Sequence, residues 1–151
     1  MIGLLWASAV AAASPDACAV LTQTEVAAAL GVSVGAGERL VPNETDFCTW
    51  HEQGKNKMEA RFVAISFLAE ETYQMRKMML KNNTPEGGIG DEAYFSKEKG
   101  MVSTLTVKKG GTYFEVTALG HDASVRGKGD DLDQKDKEVD RAIARLILKK
   151  L

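Results

Sequence analysis

Met101–Leu119, MVSTLTVKKGGTYFEVTAL, decides the architecture of this chain. Two alternating runs flank Lys108-Lys109-Gly110-Gly111, the pattern of a β-hairpin closed by a two-residue turn. Whether the turn is Lys109-Gly110 or Gly110-Gly111, odd positions pair with even ones. Met101, Leu105, Val107, Phe114, Val116 and Ala118 then share one face, and Thr104, Thr106, Tyr113, Glu115 and Thr117 share the other. A period-2 strand cannot slip by one residue without inverting its faces. One side therefore requires a cover of helices, and the other is expected to tolerate water.

Working outward, Ile89–Ser96 enters a preceding strand through Gly90-Asp91-Glu92. Further upstream, Phe47–Gln53 and Met58–Leu68 predict a second hairpin around Gly54-Lys55-Asn56, with Cys48 and Trp50 on one face. Val63, Ile65 and Phe67 fill one side of its return strand while Phe62 and Ala64 fill the other, which predicts a central strand buried on both faces. Val32–Val41 reads as a loose strand that Pro42-Asn43-Glu44-Thr45 breaks.

Three helices complete the pattern. Thr22 and Glu25 form a capping box, with Leu21 and Val26 at the positions of a hydrophobic staple, and Gly31 supplies a C-terminal stop. A second helix spans Ala69–Lys81, with Tyr73, Met75, Met78, Met79 and Leu80 apolar, and the Asn82–Gly88 segment ends it. The polar Gly120–Asp133 loop leads into the last helix, whose Val139, Ala142, Ile143, Leu146 and Ile147 keep i, i+3, i+4, i+7 spacing. Gly37–Leu68 and Gly90–Leu119 share a layout of glycine, strand, loop and hairpin, each behind a helix. The expected product is an α+β fold: an antiparallel sheet of about six strands covered by helices, with a duplicated α-β-β-β unit and a C-terminal helix.

The 151 residues amount to one domain, residues 14–151, behind a signal-like segment. A formal net charge of −2, with lysines and arginines spread along the chain, argues against a nucleic-acid footprint. Met1–Ala13 carries no charge and is too short to span a membrane, but it matches the apolar region of a secretory signal. Cleavage is expected before Ser14, although a basic n-region is missing; the alternative is a short buried N-terminal helix. Cys18 and Cys48 fit an exported chain in which they pair. A lipid anchor at Cys18 fails on its neighbours, because Pro15 and Asp16 stand where such a signal needs an aliphatic and a small residue. The mature protein is therefore expected to be secreted or periplasmic without a stable membrane anchor.

Asp16-x-Cys18, the leucine-threonine cap, Glu25-Val26, Leu30-Gly31, Cys48-x-Trp50 and the Gly88–Ala93 turn resemble a group of small exported bacterial domains of unknown function. The resemblance covers the first third of the chain and one turn. It implies a compartment and a disulfide but no reaction. Many members of that group are lipoproteins, and this chain departs from them by lacking the lipid-attachment signal. By fold analogy alone the sandwich is like photosystem-accessory and nuclear-import-accessory folds, which bind partners.

Each reactive-looking constellation has a structural reading beside it. Gly88-Ile89-Gly90-Asp91-Glu92-Ala93 matches a G-x-G-x-x-A string, but a dinucleotide site needs a strand before it and a helix after it. Here the order is reversed, and a turn entering the sheet is the better reading. Asp91 and Glu92 point to opposite faces of a strand and cannot share a substrate. Asp130, Asp131, Asp133 and Asp136 lack the glycine and distal glutamate of a calcium loop, and read as a solvated cap on the last helix. His51 and His121 are too few for a zinc site, and no nucleophile-elbow string surrounds a serine. Both read as surface residues at strand ends. No cofactor and no metal ligand set is expected.

Two candidate contact regions remain. Tyr73, Met75 and Met79 would line an adaptable apolar pocket if they were not simply core. Thr104, Thr106, Tyr113 and Thr117 would form an aromatic-bearing polar sheet face if they were not simply solvated. Together these readings predict a secreted, non-enzymatic binding domain with an unidentified protein or small-molecule partner. A hydrolase would instead place His51 or His121 in a cleft beside a serine and a carboxylate. A carrier of a small apolar ligand would show a methionine-lined cavity of roughly 300 Å3 or more.

Overall fold

A computed structural model describes residues 14–80, 82–98, 100–125 and 130–151. Met1–Ala13, the segment read as a signal, lies outside them. The described chain runs α1 (Ala17–Val20), α2 (Gln23–Leu30), β1 (Phe47–His51), β2 (Phe62–Leu68), α3 (Glu70–Met79), β3 (Thr84–Pro85), β4 (Glu92–Ser96), β5 (Thr104–Lys109), β6 (Thr112–Leu119) and α4 (Asp130–Leu148). All six strands join one antiparallel sheet in the order β1-β2-β6-β5-β4-β3. This is the α+β architecture that the patterning predicts.

The β5–β6 hairpin turns at Gly110-Gly111, with Lys109 opposite Thr112 and Leu105 opposite Val116. Gly110 takes a φ of 57°, the left-handed conformation this turn demands. Leu105, Val107, Phe114, Val116 and Ala118 all lie on one face in the main core, joined there by Cys48, Trp50, Val63, Ile65 and Phe67. Met101 does not join them: β5 begins only at Thr104, and Met101 is 61% exposed.

Helices α1, α2 and α4 cover this face. Thr22 Oγ1 accepts from the Glu25 amide, the Glu25 carboxylate accepts from the Thr22 amide, and Gly31 ends α2 at a φ of 72°. Leu21 and Val26 are buried beneath them, as the staple requires. Val139, Ile143, Ala144 and Ile147 bury the inner stripe of α4, while Ala142 and Leu146 are only half-buried. Cys18 and Cys48 form a disulfide that ties α1 to β1.

Several local expectations need correction. Segment 32–41 is no strand; it touches the sheet only through isolated bridges from Val34 to Glu52 and from Glu38 to Thr49. β2 is flanked by β1 and β6, but Phe62, Ala64, Ser66 and Leu68 on its second face are only half-buried. The middle of the sheet is the β6–β5 pair. The two halves meet at β2–β6 with mirrored strand order, β1-β2 against β6-β5-β4. The helices do not repeat that relation: α2 packs on the main core, whereas Tyr73 of α3 joins Tyr94 and Tyr113 on the opposite face.

The aspartate-rich start of α4 is more than a solvated cap. Asp133 accepts from Lys97 Nζ and Ser103 Oγ and pairs with Lys137. Burial opposes its ionisation, but those donors hold the carboxyl down at about 2. Asp136 and Asp140 turn inward and are buried. A buried face of α4 therefore carries two carboxylates that the hydrophobic spacing does not reveal. Among the described residues no helix is long and apolar enough to cross a membrane.

Candidate binding cleft between α3 and the sheet

Helix α3 crosses the sheet face that the hairpin pattern leaves polar. Its single buried residue is Tyr73, whose ring lies 4.8 Å from that of Tyr113 and 6.2 Å from that of Tyr94. Tilted aromatic pairs at such distances add to the burial of their own area. Burial raises the pKa of all three phenols and keeps them neutral. One turn further along, Arg76 pairs with both carboxylate oxygens of Glu115 on β6, and Lys77 pairs with Glu92 on β4. These cations sit in the last turn of α3, where the helix dipole also favours them.

This docking buries part of the face expected to be open. Thr106 is fully buried, and Tyr113 and Glu115 are nearly so. Only Thr104 and Thr117 of the anticipated contact face stay half-exposed, with their hydroxyls 2.8 Å apart. Alternation identified which residues share a face but could not show that a helix crosses it. Burial pushes the Glu115 carboxyl up, against the pull of Arg76 and the hydroxyl of Thr106.

Beside the tyrosines, α3 and the sheet diverge and leave a cleft of about 470 Å3. Thr104, Thr117, Glu115 and Arg76 are polar lining residues, and Met75, Met79 and Met101 are among the apolar ones. Met75 and Met79 stand one turn apart on α3, so their side chains are neighbours. Met101 comes from the segment between β4 and β5. Lys97 and Ser103 fasten both ends of that segment to Asp133 of α4.

The methionines are not core. Met75, Met78, Met79 and Met101 are 50%, 81%, 70% and 61% exposed. Met78 does not line the cleft, and Tyr73 belongs to the aromatic cluster instead. The two contact regions read from the sequence thus meet in one place: Thr104 and Thr117 from the sheet, Met75 and Met79 from the helix. The sequence pattern does not mark Arg76, Glu115 or Met101 as cleft residues. An Arg76–Glu115 pair separated by 39 residues leaves no local pattern to find.

The histidines occupy other sites. His121 Nδ1 lies 2.8 Å from Asp136 Oδ1, which also accepts from the Gly120 amide at 2.7 Å. Among the described residues no serine or threonine hydroxyl bonds to His121. His51 lines a separate cavity of about 540 Å3 beside β1, with Glu38, Thr49 and Lys57 among its neighbours. Burial, and then the Lys57 charge, lower its pKa. Its Nδ1 is buried without a hydrogen-bond partner among the described residues. Thr49 spends its hydroxyl on the Val63 carbonyl. Among the described residues no hydroxyl hydrogen-bonds to either histidine ring.

The remaining acidic candidates have local tasks. Asp91 accepts from the Gly110 amide at 2.6 Å and so braces the β5–β6 turn, while Glu92 meets Lys77. Among the described residues no three His, Cys, Asp or Glu side chains gather in a way that could hold a metal ion. Comparison with family models, curated proteins and solved structures finds no match to this chain.

Proposed function

We propose that this chain is an exported, non-enzymatic binding domain whose contact site is the cleft between α3 and the sheet. The convergence of Met75, Met79 and Met101 around a concavity with the Thr104–Thr117 hydroxyls and the Arg76–Glu115 pair carries the reading. Exposed methionines offer apolar area on side chains that adapt to varied shapes. The cleft volume falls within the roughly 300–1,000 Å3 range of small-molecule sites. The fitting ligand is small and largely apolar, with a polar atom that meets the Thr104–Thr117 hydroxyls.

Export is supported by the Cys18–Cys48 disulfide, which oxidising compartments favour, and by the apolar Met1–Ala13 sequence. The resemblance to small exported domains points the same way. A hydrolase reading would draw on the His121–Asp136 contact, to which no hydroxyl is bonded among the described residues, or on the His51 cavity, where the Thr49 hydroxyl is committed to the Val63 carbonyl.

Fluorescence titration with N-phenyl-1-naphthylamine tests the assignment. Wild-type protein is expected to enhance its emission saturably. Met79→Asp should weaken binding by roughly tenfold, the cost of placing one charge in an apolar contact. Met58→Asp, at a residue 93% exposed on the β1–β2 loop, should leave binding unchanged. Equal losses in both variants, or no enhancement by wild type, would refute the cleft as the binding site.

A further inference from the structure

We propose that Met75, Met79 and Met101 form a thioether site for a soft monovalent cation of the Cu(I) type. This goes beyond the binding reading above and rests on the same cleft being open to ligands.

The sulfur inventory supplies the first argument. The chain has two cysteines and six methionines, and both cysteines are spent in the disulfide. With no thiolate left, thioethers are its only sulfur donors. Soft thioethers select Cu(I) over the divalent and hard cations that prefer imidazole, carboxylate or water.

Placement supplies the second. Met58, Met75, Met78, Met79 and Met101 are all exposed, while the main core is built from the other apolar residues. Leucine would give comparable apolar area and helix propensity at Met75 and Met79. What methionine adds there is a polarizable sulfur on three rotatable bonds.

Geometry and charge complete the case. Met75 and Met79 stand one turn apart on α3 and Met101 lies between β4 and β5, so one cleft is lined by thioether residues from two separate segments. No histidine lines it, which disfavours Zn(II) and Cu(II). Thioethers are neutral and leave the bound cation its charge. Glu98 lines the same cleft, and the Arg76 charge is matched by Glu115, so the lining carries a net negative charge. A concave anionic lining concentrates cations.

The test uses disulfide-intact protein in ascorbate, which keeps copper as Cu(I) without cleaving the bridge, and bicinchoninate as the competing chelator. Wild type is expected to withdraw one Cu(I) per chain. Met75→Leu, Met79→Leu and Met101→Leu should each weaken binding by at least roughly tenfold, the lower end of what losing even a supporting group costs a metal site. The triple variant should fail to compete, and Met58→Leu should match wild type. The leucines preserve apolar volume, so the triple variant should still bind the naphthylamine. Metal binding that survives in the triple variant, falls equally in Met58→Leu, or is absent from wild type overturns the thioether site. Loss of naphthylamine binding by wild type would instead overturn the cleft reading.

Discussion

Arg76 on α3 reaches across to Glu115 on β6 and engages both of its carboxylate oxygens, so a helix with one buried residue is held to the sheet by charge as well as by Tyr73. Glu115 is the more enclosed partner, its side chain 10% exposed against 44% for Arg76. Arg76→Leu therefore strands a nearly buried carboxylate, and is expected to cost about 1–3 kcal/mol in urea unfolding. Adding Glu115→Gln should recover part of that loss. Equal, additive losses from the two substitutions would show that the pair is not coupled.

The disulfide closes a loop with a sequence separation of 30. In the chain-entropy account such a loop contributes about 3–4 kcal/mol. Cys18→Ser with Cys48→Ser should lower unfolding free energy by that amount while the far-UV circular dichroism stays native. Native protein alkylated without reductant should show no mass shift, and two added alkyl groups would exclude the bridge.

Gly37 packs where no side chain fits. A Cβ there would come 2.7 Å from Cys48 Sγ and 2.9 Å from Trp50 Nε1, both fixed in the core. Gly37→Ala should destabilise by about 1–3 kcal/mol, whereas Gly87→Ala, with no neighbouring atoms within 4 Å, should be close to neutral. Similar melting temperatures for the two variants would contradict this packing.

Asp140 is fully buried on α4, and neither carboxylate oxygen makes a well-formed hydrogen bond among the described residues. Burial first, and then the neighbouring Asp136 charge, raise its pKa well above the ordinary carboxylate range, against the pull of the nearby Ala118 amide and of Arg141. The folded state therefore holds this proton more tightly than the unfolded chain. Its contribution is greatest below the unfolded value of about 3.9 and is lost as pH rises toward the folded one, at about 1.4 kcal/mol per unit of that interval. Asp140→Asn should gain stability relative to wild type as pH rises from 4 to 8. A difference independent of pH in chemical unfolding would contradict the assignment.

What the sequence reveals and what it hides divide along physical lines. The α2 capping box, the Gly31 stop and the inward set from Leu105 to Ala118 follow from contacts within a few residues or from strand alternation, and those signals are local. Alternation says that Thr106, Tyr113 and Glu115 share a face. It does not say that α3 will cover them, because that depends on Tyr73 and Arg76 meeting partners far along the chain. Methionine patterning misleads for a related reason: Met75 and Met79 have helical spacing suited to a core, yet the helix docks through the adjoining stripe of Tyr73, Arg76 and Lys77. Asp136 looks like surface charge because its partners, the Gly120 amide and His121, lie outside α4.

Ligand entry between α3 and the sheet, as proposed, can be read at the methionines themselves. The most direct measurement is NMR of protein labelled with [13C]methyl-methionine, titrated with N-phenyl-1-naphthylamine. The methyl resonances of Met75, Met79 and Met101 are expected to shift together and saturate together, while those of Met58 and Met78 stay in place. Shifts centred on Met58, or spread evenly over every methionine, would contradict it.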